Sequence, residues 1–420
     1  YNIVVANDLK DANITVDPIK NKMFTQDIFD VGEDGNIIIQ HSTVKSMQKI
    51  PAVLVLEGNK MYGRYKDKFL YKCIPDDKRL PVFLVPYKIK TGFSKKLTNK
   101  YVTFEYKLWK DKHPQGVIVQ TIGDVSDLPN FYEYQLYCKS LYASIQNFTK
   151  DAMRKLKQKS EEAFIQQILN TYNLEDRRMG FEIYSIDPTT SKDFDDAFSY
   201  KKISETNSIL SIYISNVAIW LDALELWSSF SNRISTIYLP DRKRPMLPTI
   251  LSDALCSLQE KRTRFAFTMD ILIDTENLEI IDFSLKNTAI TVKKNLRYDT
   301  EEQETNETYN SMKSIIYRMN RKKKYRYMES ISTSHEVIAY IMILMNYLSA
   351  KDMKENKIGI YRSAKYNDEQ KINIPENIPL KTQKFLKMWQ SSGGSYVKFE
   401  NIEGHEILDL DAYVHITSPI

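Results

Sequence analysis

Ser185-Ile-Asp-Pro-Thr-Thr-Ser-Lys-Asp-Phe-Asp-Asp-Ala-Phe-Ser199 sets four carboxylates, Asp187, Asp193, Asp195 and Asp196, within ten residues, offset locally only by Lys192. Like charges raise one another's pKa, so such a cluster takes up protons or a cation. Mg²⁺ prefers hard oxygen ligands, which packed aspartates supply. A carboxylate cluster on Mg²⁺ is also common equipment for cutting phosphodiesters. Spacing alone leaves a plainer reading open, a solvated turn or helix cap. An EF-hand calcium loop is excluded. Asp193-x-Asp195 has its opening, but Phe198 stands where the loop needs Gly and Ser204 where it needs Glu.

The surrounding chain has 420 residues, 42% of them hydrophobic, enough for two to four domains with proper cores. No apolar run approaches the roughly 18 residues that cross a membrane, and no secretory signal opens the chain. It begins at Tyr1, so a trimmed N-terminus is expected. Cys73, Cys138 and Cys256 are odd in number and far apart, which predicts no disulfide framework and a reducing compartment, cytoplasmic or nuclear. Five scattered histidines argue against zinc. A net charge of +5 is a mild bias toward polyanions.

Residues 1–35 read as an irregular lead-in. Alternating patterns predict strands at Ile37–Gln40, Ala52–Glu57, Phe69–Ile74 and Pro81–Val85, then Tyr101–Trp109 and Gly116–Ile122. Strands this short suggest small barrels or sandwiches. Helical spacing runs from Asn130 to Asn173. Further on, strands are expected near Phe181–Ile186, Ile209–Ser215, Phe265–Asp270 and Leu278–Phe283, with helices at Glu302–Met319 and His335–Asp352. Ser332 or Thr333 with Glu336 resembles a capping box.

Three other stretches carry chemistry. Lys60–Lys72 interleaves five basic with four aromatic residues. This is either a face for single-stranded nucleic acid, held by stacking and cations, or an ordinary half-buried hairpin. Ser235–Pro248 places three prolines around Tyr238, a stiff loop able to hold a stacking ring. The basic run Arg318–Arg326 follows the acidic run Asp299–Glu307. Helix-dipole complementarity accounts for this order, and phosphate contact by the basic end is the alternative.

Taken in order, several motifs resemble the ribonuclease II/R (RNB) family of exoribonucleases. They are Ile186-Asp-Pro with Asp193-x-Asp-Asp-Ala197, Tyr238-Leu-Pro with Pro245-Met-Leu-Pro, and Leu251-Ser-Asp-Ala-Leu-Cys-Ser-Leu258. Leu296-Arg-Tyr298, His335-Glu-Val-Ile with Met342-Ile-Leu-Met-Asn346, Ile360-Tyr-Arg362 and Tyr413-Val-His-Ile-Thr-Ser-Pro-Ile420 follow. The likeness covers roughly 180–420. It implies an α+β fold: a mixed α/β RNB catalytic domain behind small OB-like, cold-shock-type β-barrels. The expected domains are the lead-in 1–35, an OB-like domain 36–95, a second OB-like segment with a linker helix 96–150, and the catalytic domain 151–420.

The resemblance implies a Mg²⁺-dependent hydrolase, with two ions, that degrades single-stranded RNA from its 3′ end to nucleoside 5′-monophosphates. Carried over by motif, Asp187, Asp193, Asp195 and Asp196 are the catalytic and metal-binding carboxylates. Tyr298 is the tyrosine beside the scissile phosphate, and Tyr238 stacks on the terminal base. The chain departs from the family at four places. Tyr213-Ile-Ser-Asn216 replaces His-Ile-Ala-Asp, Ala339 and Tyr340 replace an acidic pair, and the segment before the long helix is short. The chain also stops at Ile420, before the Arg of Thr-Ser-Pro-Ile-Arg, which reads as a fragment boundary. These departures motivate the alternative, an RNA-binding protein with a degenerate, inactive nuclease domain.

Overall fold

The structure is a computed structural model that describes residues 3–4, 14–89, 97–365 and 394–420, with positions 374–375, 377–379, 382–383 and 386. Parts of the lead-in and of the expected 36–95 domain lie outside the described residues. The chain forms two compact units, Tyr1–Ser144 with Tyr238–Arg244, and Ile145–Ile237 with Pro245–Ile420.

The first unit is built on strands. β1 (Ile28–Val31) and β2 (Ile37–His41) form an antiparallel hairpin, so the stretch read as irregular ends in a strand. The one-turn helix α1 (Thr43–Ser46) follows. Next come β3 (Ile50–Leu54), β4 (Arg64–Tyr65), β5 (Lys68–Pro75), β6 (Phe83–Tyr87), β7 (Lys100–Leu108) and β8 (Gln115–Asp124). They share one sheet in the order β3-β7-β8-β6-β5-β4, and β3 also pairs with β5. That extra pairing closes β3, β7, β8, β6 and β5 into a five-stranded barrel. The strands expected in 36–95 and in 96–150 therefore sit in one sheet.

Closure requires bent strands, and the pairing of β7 with β8 has three register shifts that supply the bend. At Gly116 a Cβ would lie 2.5 Å from the ring of Phe104, so a side chain there would push the two strands apart. Ala52, Leu54, Cys73, Phe83, Val85, Val102 and Phe104 fill the interior, at alternate positions of their strands. Helix α2 (Leu128–Cys138) covers part of the barrel, with Tyr134 stacked on Tyr101.

The second unit opens with α3 (Gln146–Leu156) and α4 (Glu161–Thr171), so the helical run Asn130–Asn173 is three helices. Its sheet uses β9 (Glu175–Arg177), β10 (Tyr184–Asp187), β11 (Asp196–Lys202) and β12 (Asn207–Ser215), followed by helix α5 (Val217–Ala223). The short strands β13 (Ile237–Tyr238) and β14 (Lys243–Arg244) make a small hairpin, of which residues 238–244 belong to the first unit. The long strands β15 (Thr263–Asp274) and β16 (Glu279–Thr291) and the short β17 (Lys294–Arg297) complete the sheet, in the order β17-β10-β11-β12-β15-β16-β9. The centre is antiparallel, and both edge strands pair in parallel.

Alternation sorts the side chains. Phe198, Leu210, Ile212, Met269 and Ile271 pack on α7 (Glu307–Asn320) and α8 (Ser334–Glu355), through Met312, Ile316, Ile341, Leu344 and Met345. Phe265 and Ala289 meet α3, α4 and α5 through Phe148, Phe164, Ile168 and Trp220. Ala197, Tyr213, Ala266 and Ile290 form a separate cluster with Phe194 and Leu258, so the aspartate loop is itself part of a core.

The expected helix Glu302–Met319 is broken into α6 (Glu301–Glu304) and α7. The side chain of Asn306 caps α7 by accepting from Tyr309 N–H at 2.9 Å. The capping box at α8 is present with Thr333 as N-cap and Glu336 as its partner. Strands β18 (Ile360–Ser363) and β19 (Ser395–Lys398) pair near the C-terminal end.

Candidate active site

Asp187 ends β10 and Asp196 opens β11, its neighbour in the sheet, so chain reversal between them brings the two carboxylates to one end of adjacent strands. The loop between them carries Asp193 and Asp195. It is held from behind by Leu251–Leu258. Phe194 N–H donates to Ser257 Oγ at 3.0 Å, Ser257 Oγ donates to Lys192 O at 2.8 Å, and Leu258 N–H donates to Phe194 O at 3.0 Å. Ser215 N–H donates to Asp195 O at 2.8 Å, while Ser215 Oγ donates to Cys256 O at 2.6 Å.

Strand β17 supplies the other wall. It runs parallel to β10 with Arg297 opposite Asp187. Asn295 Nδ2 donates to Ser185 Oγ at 2.9 Å, and Ser185 Oγ donates to Asp187 Oδ2 at 2.9 Å, a relay that orients the carboxylate. Arg297 Nη1 donates to Pro188 O at 3.0 Å, and its guanidinium lies over the Phe194 ring. Tyr298 N–H donates to Asp187 O at 3.2 Å. The ring of Tyr298 stacks on His335, with 3.6 Å between centroids. Asp299 takes the left-handed conformation (φ 58°), and its Oδ1 accepts from Ser334 Oγ at 3.2 Å.

Burial pushes the Asp187 carboxyl up to about 6, with the Ser185 hydroxyl and Arg297 pulling the other way. Asp196 is raised well above the ordinary carboxylate range, first by burial, then by Asp187 and Asp195. Its Oδ2 is buried and accepts no hydrogen bond. Burial, then Asp196 and Asp187, raise the Tyr298 phenol, which therefore stays protonated at neutral pH.

The C-terminal segment reaches the same cluster. Asn346 of α8 accepts from Ile416 N–H at 2.9 Å and donates to Tyr413 Oη at 3.1 Å and to Thr417 Oγ1 at 3.0 Å. Beyond this clamp, Ile420 N–H donates to Asp195 Oδ1 at 3.0 Å.

Residues 173–315, from β9 into α7, match the family model described as RNB domain, and residues 70–131 match Dis3-like cold-shock domain 2. The chain carries an RNB domain. Ribonuclease R of Thermotoga maritima is 26% identical over 212 residues, which are 49% of this chain and 29% of that protein. The chain thus spans less than a third of that relative's length. In fold it resembles Mycoplasma genitalium RNase R in complex with ribose-methylated single-stranded RNA, with a TM-score of 0.63 at 17% identity, covering 93% of this chain and 69% of that one. It also resembles yeast Ssd1, a pseudonuclease, with a TM-score of 0.64 at 15% identity, covering 92% of this chain and 54% of that one. The OB-like barrel and the mixed α/β unit agree with the expected fold class.

Within the RNB domain the four aspartates and Tyr298 belong to one unit. Tyr238 does not: it falls in the first unit, 72% exposed. There Arg244 ties residues 238–244 to α2, pairing with Glu133 and Asp241, each at 2.6 Å. Of the four aromatics in Lys60–Lys72, Tyr71 is buried in the barrel. Tyr62, Tyr65 and Phe69 lie under the cations of Lys60, Lys107 and Arg64.

The departures have structural roles. Asn216 caps α5 and donates to Asn287 Oδ1 at 2.9 Å. Tyr213 is fully buried, bonded to Ser199 Oγ at 3.0 Å and to Arg177 Nη1 at 3.3 Å. Tyr340 is buried among core residues and donates to Tyr325 O at 3.0 Å. Sequence reasoning missed Ser185, Asn295, Arg297, His335 and Asn346 as supports of the site. All five flank or lie within quoted motifs, but nothing local revealed their contacts.

The carboxylate donors suit a hard cation, and the unpartnered Asp196 Oδ2 is an open acceptor for one. Among the described residues, however, no three His, Cys, Asp or Glu side chains already converge as a metal-holding group. A cation would have to draw them together. Among the described residues no helix is long and apolar enough to cross a membrane.

Proposed function

We propose that this chain is the nuclease portion of a Mg²⁺-dependent 3′→5′ exoribonuclease that hydrolyses single-stranded RNA to nucleoside 5′-monophosphates. The observation that carries the reading is Asp196 Oδ2, buried without a partner and electrostatically coupled to Asp187 and Tyr298. The names and RNA-bound structure of its relatives support RNA as the substrate.

Asp187, Asp193, Asp195 and Asp196 are the residues that would hold the metal. When bound, Mg²⁺ supplies an activated water and neutralises charge on the phosphate. The chain's own residues do the positioning. The Asn295–Ser185 relay holds Asp187 in one rotamer. The protonated Tyr298 phenol donates to a non-bridging phosphate oxygen, its ring fixed against His335. In the first unit, Tyr238 presents an exposed ring able to stack on a base, and Tyr62, Tyr65 and Phe69 present rings beside cations that suit single-stranded RNA.

One observation favours a second reading, RNA binding without cleavage. Asp195 Oδ1 already accepts from Ile420 N–H, so this oxygen is engaged before any cation arrives. A single experiment separates the two. Labelled oligoribonucleotides with free or blocked 3′ ends are incubated with the protein in Mg²⁺ or EDTA. Monophosphate release only from the free end and only with Mg²⁺ supports the exonuclease. RNA retention without monophosphate in either buffer sinks it in favour of the second reading.

A further inference from the structure

The basic run Arg318–Arg326 is not explained by the aspartate site, and its residues divide into two groups. One group serves the fold. Arg318 donates to Thr275 O at 2.8 Å and Lys322 to the carbonyl of Asn277. Lys324 and Tyr325 donate to Glu279 Oε2 at 2.5 and 2.8 Å. These bonds fasten the end of α7 to the turn between β15 and β16. The second group, Arg321 and Arg326, lines a separate cavity of about 510 Å³.

This cavity has built walls. Tyr317 stands one helical turn before Arg321, on the same face of α7. The buried Asn320 bonds twice to Met328: Met328 N–H donates to Oδ1 at 3.2 Å, and Nδ2 donates to Met328 O at 3.0 Å. That pair of hydrogen bonds pins the 326–331 loop to the helix end, so the cavity is formed before any ligand arrives. Among the described residues, the ion pairs of the basic run go from Lys322 and Lys324 to Glu279, and none joins Arg321 or Arg326 to a carboxylate. Among the described residues, Arg326 Nη2 makes only a long bond of 3.4 Å to Glu329 O. Among the described residues, two guanidinium groups therefore share the cavity with a single lining carboxylate, that of Glu329.

We propose that this cavity binds the phosphate group of a small molecule, either inorganic phosphate or the phosphate monoester of a mononucleotide. Guanidinium forks match phosphate oxygens in pairs, and an anion with two charges answers the excess of positive charge. Ser330 adds a hydroxyl to the lining. The volume suits a small ligand. Among the described residues the walls come from one helix end and one short loop, an open depression too short to track a polymer. The inference does not depend on the nuclease reading.

The test is calorimetric titration of the full chain, in EDTA, with inorganic phosphate, adenosine 5′-monophosphate, adenosine and a short RNA oligomer. Phosphate and the monophosphate are expected to bind and adenosine not. The double substitution Arg321→Gln with Arg326→Gln should weaken both by about tenfold or more, without shifting the melting temperature. Equal affinities would assign the site to the phosphate group alone, and a tighter monophosphate to a mononucleotide. The proposal is overturned if neither ligand binds, or if the double variant binds both as tightly as the parent chain. It is also overturned if only a short RNA oligomer distinguishes the two proteins. Should the double variant not fold, single Arg→Lys changes keep the charge and remove the fork. Unchanged affinity in both would equally overturn the proposal.

Discussion

The ring of Tyr298 lies nearly flat on the imidazole of His335, 3.6 Å between centroids and 18° between planes. One residue follows β17, and the other stands in the first turn of α8. Ser334 beside His335 also donates to Asp299 beside Tyr298. The start of the long helix therefore grips the loop that aims the phenol.

Removing that grip should affect chemistry more than binding. For His335→Ala we expect a loss of about tenfold or more in single-turnover cleavage, since small misplacements of reacting groups are costly. RNA affinity should stay close to that of the parent, and His335→Phe should recover part of the rate. Equal cleavage rates for the parent and His335→Ala would make the stack mere packing.

Asp196 is the buried acid of the site, so Asp196→Asn should abolish cleavage while raising the melting temperature of the metal-free chain. The substitution removes a carboxyl whose ionisation is opposed by burial and by the neighbouring Asp187 and Asp195. Mg²⁺ should stabilise the parent chain, as any ligand of the native state does, and leave the variant nearly unmoved. Parallel melts with and without Mg²⁺ read both effects. A variant stabilised by Mg²⁺ as much as the parent would remove Asp196 from the metal site.

At the opposite edge of the sheet, Arg177 forms a forked pair with Asp270, at 2.8 and 2.6 Å, and also bonds to Glu175. Burial would raise the Asp270 carboxyl, but Arg177 and Ser211 outweigh it and hold it at about 2. Arg177→Met leaves that carboxylate buried and poorly compensated. Breaking such a pair typically costs about 3–5 kcal/mol, and chemical denaturation would measure it. Lys286, 3.1 Å from Asp270, should keep the loss toward the lower end.

The cap of α8 gives a pH dependence. The backbone N–H and the hydroxyl of Ser332, then the N–H of Thr333, hold Glu336 at about 2, below the usual 4.5. A depressed folded value means the stabilisation is complete above about pH 4.5 and fades as pH falls toward 2. Thr333→Ala should cost about 1 kcal/mol at neutral pH. Glu336→Gln should narrow its stability gap to the parent as the solution is acidified through that window. A gap that stays constant down to pH 2 would contradict the assignment.

Asn346→Ala should free the C-terminal segment. The buried amide bonds to Tyr413, Ile416 and Thr417, and leaving those partners unsatisfied costs about 1–3 kcal/mol. Hydrogen exchange should rise at Ile416 and Ile420, the amides that donate to Asn346 and to Asp195. Protection at Ile420 that survives the substitution would show that this contact does not need the Asn346 clamp.

Much of the fold was legible because it is local. The alternation in Tyr101–Trp109 and Ile209–Ser215 appears as β7 and β12, and Thr333 with Glu336 caps α8 as its spacing predicts. The misses are places where local pattern and tertiary contact part. Glu302–Met319 has continuous helical spacing, yet the Asn306 cap divides it. The short edge strands β9 and β17 are held by parallel pairing to distant partners, which no window of sequence reveals. Barrel closure rests on the pairing of β3 with both β5 and β7.

By itself, the sequence determined the cluster Asp187, Asp193, Asp195 and Asp196 and the order of motifs around it, because both are properties of neighbours along the chain. Only the tertiary structure decided that Arg297 and the Asn295–Ser185 relay stand beside Asp187, that His335 backs Tyr298, and that Ile420 reaches Asp195. It also turned Tyr340 into the core and divided the basic run between a β-turn and a cavity. These are contacts between residues far apart in sequence. Strand order and helix packing choose such neighbours, and residue type alone cannot.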